Sequence, residues 1–110
     1  MKRLFVLTPE AKSDLKDILL DIAEDSPDAA ERVRSEFQGA LRMLGQSPGL
    51  GHWHEELLSK KYRFWNFYSY VVVYVCEVRP IQVISVVHGA RDLAAFLSSR
   101  LGPEQSGNPQ

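Results

Sequence analysis

The chain of 110 residues contains a single cysteine, Cys76. One thiol excludes an internal disulfide framework and a zinc site built from several cysteines. Long apolar runs are missing too. The longest, residues 71–75, is strand-sized, against the roughly 20 residues a membrane helix needs. Residues 1–7 are too short to supply the apolar segment of a secretory signal. A strong charge of either sign is also absent, since 13 basic and 14 acidic side chains leave a formal net charge of −1. Proteins that neutralise many phosphates carry a clear cationic excess, so this balance disfavours a dedicated nucleic-acid binder. What remains is an ordinary globular composition, 45% hydrophobic and 25% charged, which excludes wholesale disorder. A chain of this length buries roughly two thirds of its unfolded surface, enough for one core without staples. The expectation is one cytoplasmic domain over residues 1–101, with residues 102–110 as a flexible tail rich in Gly, Pro, Ser, Asn and Gln.

The hydrophobic pattern orders that domain. Residues 3–7 form a short apolar run consistent with a strand. Thr8-Pro9-Glu10 then supplies a cap, a first-turn proline and an acid at the positive dipole end. Ala11, Leu15, Ile18, Leu19 and Ile22 follow at helical spacing, with Lys12, Asp14, Lys16, Asp17 and Asp21 on the other side. Ser26-Pro27-Asp28 repeats the start signal, so the first helix ends near Asp25. A second helix carries Ala30, Val33, Phe37, Ala40, Leu41 and Leu44 until Ser47-Pro48-Gly49 stops it. Two helices joined this closely form an antiparallel hairpin. Residues 49–61 lack a period and read as a loop. Residues 62–67, 70–78 and 81–88 are rich in aromatic and β-branched side chains and read as strands. Residues 70–75 are apolar on both faces, which places them mid-sheet. Pro80 marks the turn into the last strand, and Leu93, Phe96 and Leu97 suggest a short closing helix. The predicted fold is α+β, ordered β-α-α-β-β-β-α, with the hairpin packed on a small, mainly antiparallel sheet.

Four clusters are candidates for chemistry. His52-Trp53-His54 with Glu55 places two imidazoles two residues apart, but a closed metal site needs more ligands than this segment offers. Cys76, on the expected central strand, reads as a small buried hydrophobe, since no neighbouring base would activate it. Lys60, Lys61, Arg63 and Arg79 interleave with Tyr62, Phe64, Trp65 and Tyr68. That mixture suits stacked bases, an acidic protein partner, or a strand with one aromatic face buried. The charge is local: residues 57–100 hold six basic groups against Glu77 and Asp92. Finally, His88-Gly89-Ala90-Arg91-Asp92 closes the last strand and opens the helix.

Taken in order, these pieces resemble the RelE/ParE toxin superfamily of bacterial toxin–antitoxin modules, also called plasmid-stabilisation proteins. The likeness runs from Leu4 to Leu97. Leu7-Thr8-Pro9-Glu10-Ala11 with Asp14-Leu15 looks like the family's first helix, and Ile22-Ala23-Glu24-Asp25-Ser26-Pro27 like its hairpin. Pro48-Gly49-Leu50-Gly51 is similar to its loop. Arg63, Tyr70 and Tyr74 fall where the family has an arginine and tyrosines on its middle strands. Residues 86–93, Val-Val-His-Gly-Ala-Arg-Asp-Leu, are close to its closing signature.

The resemblance implies one of two activities, or an inactive toxin-like binding protein, none of them with a cofactor or metal. One branch consists of ribosome-dependent mRNA endoribonucleases, whose chemistry needs a base, a cation and a proton donor. On this chain those roles would fall to Arg63, His88 and Arg91. The chain departs from that branch: Ser69 and Val71 stand near its central-strand arginine, Phe96 near its carboxy-terminal tyrosine, and no tyrosine follows Tyr74. The other branch, ParE-like, acts by binding DNA gyrase without a catalytic centre, which the near-neutral charge and the missing nuclease residues favour. The resemblance then implies target contacts at Arg63, His88, Arg91 and Asp92, near the end of the sheet. It also implies a cognate antitoxin whose carboxy-terminal segment folds on the toxin. An acidic, apolar segment lying across the hairpin and the sheet edge would meet Lys60, Lys61, Arg63, Trp65 and Arg79.

Overall fold

The computed structural model describes residues 3–53, 61–89 and 93–101. Strand β1 (Phe5–Leu7) leads into helices α1 (Pro9–Asp25) and α2 (Pro27–Gln46). Strands β2 (Tyr62–Phe67), β3 (Tyr70–Val75) and β4 (Ile81–His88) follow, and α3 (Leu93–Leu101) ends the described chain. The sheet order is β1-β4-β3-β2, with β1 parallel to β4 and the other pairs antiparallel. The α+β architecture expected from the pattern is therefore the one observed.

The hairpin turns on one residue. The Ser26 N–H donates to the Ile22 carbonyl at 2.9 Å, closing α1, while its Oγ accepts from the Ala29 N–H at 3.1 Å and opens α2. Thr8 caps α1 in the same way, its Oγ1 accepting from Ala11 at 3.1 Å. Polar side chains at both starts satisfy amides that would otherwise lack partners.

Alternation along the strands divides the core in two. Val72, Tyr74, Ile81, Val83 and Val86 meet Ala11, Phe37, Leu41 and Leu44 of the hairpin. Tyr62, Phe64, Val71, Val73, Ile84 and Val87 face the other way, against Leu97 of α3. The phase changes within β4. Val73 pairs with Ser85 but Tyr74 pairs with Val83, so Ile84 is an extra residue in a β-bulge. The bulge lets Ile81, Val83 and Val86 share a face despite their unequal spacing.

Ser85, beside the bulge, is fully buried, and its hydroxyl has no hydrogen-bond partner among the described residues. A buried hydroxyl without a hydrogen bond is a cost, so Ser85→Ala is expected to raise unfolding stability by up to about 1 kcal/mol in urea titrations. A loss of that size would show that the hydroxyl does useful bonding.

Several boundaries differ from the pattern reading. The third run ends at Val75, three residues before Val78, because Cys76 and the bends beyond it leave the ladder ahead of the Arg79-Pro80 turn. Cys76 is thus not on the central strand. It lies just past it, half-buried, with Sγ 3.9 Å from the Lys61 carbonyl. The first strand begins at Phe5, not Arg3. The presumed loop starts with a single 3-10 turn, Pro48–Leu50, and His52 then pairs with Phe64 on the outer edge of β2. Residues 102–110, read as a tail, lie outside the described residues.

Candidate functional site

Three surface features surround the hairpin and its sheet. The first is a clamp beyond the end of α2. Tyr74, on β3 and fully buried, donates its hydroxyl hydrogen to the Pro48 carbonyl at 2.6 Å and accepts the Gly51 N–H at 3.0 Å. Arg63, opposite Tyr74 in the register, donates to the carbonyls of Gly51 at 2.7 Å and Gly49 at 3.3 Å. Its guanidinium also lies over the Trp53 ring, 4.3 Å from the centroid. Burial raises the Tyr74 pKa above the usual tyrosine range, and the Gly51 amide and the Arg63 charge only partly oppose it. Arg63 and Tyr74 therefore tie the loop to the sheet.

The second feature is a groove of about 580 Å³ between the two helices and β1. Phe5, Leu7, Leu15, Leu19 and Leu41 line it, and Leu20 stands 55% exposed at its margin. Lys12, Lys16 and the ion pair of Arg34 with Glu31 form the polar rim. Pattern reading missed this groove. Its signal was Leu20, an apolar residue out of phase with Leu15, Ile18 and Ile22.

The third is a smaller groove, about 260 Å³, on the opposite flank of α1 beside the carboxy-terminal half of β4. At one end, Asp14 accepts the Val86 N–H at 3.0 Å and holds Arg100 through both carboxylate oxygens, at 2.8 and 3.2 Å. Arg100 also donates to the Ile84 carbonyl at 3.2 Å. Strand β1 pairs with β4 only as far as Val83, so this clasp occupies backbone groups that a longer β1 would have bonded. It joins α1, the bulge and α3.

The sequence-predicted residues do not converge. Arg63 pairs with Tyr74 and His88 with Tyr70, so they lie four residues apart along β3, about 13 Å at the usual strand rise. His88 packs edge-to-face on Tyr70, with ring centroids 5.6 Å apart. Trp65 shares the hairpin face with Arg63 and packs against the core; its indole nitrogen is buried with no hydrogen-bond partner among the described residues. Lys61 sits over the Tyr62 ring, and Arg79 donates to the carbonyls of Cys76 and Val78. Lys60, Arg91, Asp92, His54 and Glu55 lie outside the described residues. Among the described residues no three His, Cys, Asp or Glu side chains are placed to hold a metal ion. No described helix is long and apolar enough to cross a membrane.

A helical hairpin on a mixed four-stranded sheet, grooved on both flanks of its first helix, defines a small α+β domain of the hairpin-and-sheet class. Residues 5–93 match the family described as the ParE toxin of the type II toxin–antitoxin system parDE. The match spans most of the chain, which therefore belongs to that family of toxins and, by family, has an antitoxin partner. No curated protein matches the chain.

Proposed function

We propose that the chain acts by docking on a protein target, DNA gyrase, and that an antitoxin segment covering the hairpin groove neutralises it. The observation that carries this reading is the orientation of Arg63. Its guanidinium is spent on two loop carbonyls and the Trp53 ring, and His88 lies at the far end of β3. Cleavage of RNA needs a cation and an acid or base within reach of one phosphate. These two side chains do not meet that condition. The net charge of −1 agrees, since binding to structured RNA rewards a cationic surface.

The antitoxin reading rests on the hairpin groove. Its leucine floor suits the apolar face of an amphipathic segment, and its lysine rim suits an acidic one. Strands β1 and β2 are opposite edges of the sheet, so this groove is a separate surface from the β2-side patch expected at Lys60, Lys61, Arg63, Trp65 and Arg79.

The discriminating experiment exposes purified toxin to a gyrase supercoiling assay and to ribosomes translating a defined mRNA. Supercoiling should fall while the mRNA stays intact. Cleaved mRNA with supercoiling untouched would replace this reading with the nuclease one. In the same assay, an added antitoxin should restore wild-type supercoiling but act more slowly on Lys12→Glu/Lys16→Glu, because rim charge governs association rate.

A further inference from the structure

Helix α1 is charged differently on its two flanks. Lys12 and Lys16 border the hairpin groove, whereas Asp14, Asp17 and Asp21 border the groove beside β4. A segment drawn to one flank is repelled from the other, so two partner surfaces of opposite character share one helix.

We propose that the β4-side groove seats an arginine side chain presented by a partner protein. The chain itself displays the chemistry at the closed end. There Arg100 lies over the Phe96 ring, 4.7 Å from the centroid, and is held by both oxygens of Asp14. A planar guanidinium satisfies a ring and a carboxylate together, which an ammonium does less well.

The open part of the groove repeats those elements. Asp17 and Asp21 follow Asp14 along the same side of α1 and face the rim formed by Tyr70 and His88. Neither aspartate is paired with a cation among the described residues. Strand β4 supplies the floor through Val86 and Val87, beyond the reach of β1. The space, about 260 Å³, is ample for a guanidinium and its aliphatic stem but small for a helix. Charge selects the occupant: an acidic segment is excluded, and a neutral one leaves both carboxylates unmatched. The inference does not depend on which target the toxin inhibits.

The test uses the isolated protein, labelled with ¹⁵N, and a blocked tripeptide probe, acetyl-Val-Arg-Val-amide. The neutral control replaces arginine with citrulline, which keeps the shape and removes the charge. The arginine peptide should shift the amide signals of Tyr70, Val86, Val87 and Phe96, leaving those of Leu19 and Leu20 in place. Asp17→Asn/Asp21→Asn should weaken the titration about tenfold, the combined effect of two partly exposed charge pairs. Both positions are exposed and have no ion-pair partner among the described residues, so the variant should keep the wild-type spectrum elsewhere. Equal shifts with the citrulline peptide, unchanged affinity in the double variant, or no shift at the four amides would each overturn the assignment. Because no gyrase or antitoxin is present, these outcomes stand apart from the outcome of the supercoiling assay.

Discussion

Replacing Asp14 with alanine is expected to cost about 3 kcal/mol of unfolding stability, one of the two largest losses foreseen for a single side chain here. The carboxylate accepts three hydrogen bonds from two residues of different elements, Val86 on β4 and Arg100 on α3. Its loss leaves the Val86 N–H without an acceptor on an edge that β1 does not reach. It also leaves Arg100, whose side chain is only 19% exposed, with the Ile84 carbonyl as its one remaining hydrogen-bond acceptor among the described residues. Stranding a mostly buried cation is costly, and an orphaned backbone donor adds to that cost. Asp14→Asn should lose less, because an amide oxygen can still accept from Val86. Urea denaturation measures both variants. Hydrogen exchange gives the finer readout: in the alanine variant, amides of α3 and the Ile84 bulge should lose protection before those of α2. A loss below about 1 kcal/mol would mean that the clasp behaves as an ordinary surface ion pair.

The legible and the illegible parts of this chain separate by range. Caps and breakers act within a few residues, so Thr8, Ser26 and Pro27 marked both helix starts, and Ser47-Pro48-Gly49 marked the stop. Period-2 patterning located β2 and β4 at their observed ends. The bulge at Ile84 was hidden, because it appears only when β4 is registered against β3. The Asp14–Arg100 clasp joins residues at nearly opposite ends of the chain, and no local pattern announces it. Arg63 shows the same limit in the site. Its place among aromatics read as a surface available to a ligand, but the fold turns it onto the Gly49 and Gly51 carbonyls. On this chain Arg63 holds its own loop.

That loop carries the other large effect. Gly51→Ala is expected to destabilise the protein by about 3 kcal/mol, although its backbone, at φ −73° and ψ 172°, suits any residue. The obstacle is space. A methyl group there would lie 2.6 Å from the Tyr74 hydroxyl oxygen, 2.9 Å from its ring and 3.0 Å from the Phe64 carbonyl. Tyr74 is packed in the core and cannot retreat, so the loop must lift and release the Pro48 and Gly51 bonds. Tyr74→Phe keeps the ring and removes only the hydroxyl, for an expected loss of about 2 kcal/mol. The two substitutions attack one contact, so the double variant should lose clearly less than the sum of the single losses. The clamp also has a pH signature. The folded-state pKa of Tyr74 lies above the unfolded value near 10, so the folded protein holds this proton more tightly. Its contribution is complete below about pH 10 and is lost as pH rises from there through the folded-state pKa. Wild-type stability should therefore fall more steeply above pH 10 than that of Tyr74→Phe. Parallel alkaline limbs, or strictly additive losses in the double variant, would show that Tyr74 does not hold the loop through its hydroxyl.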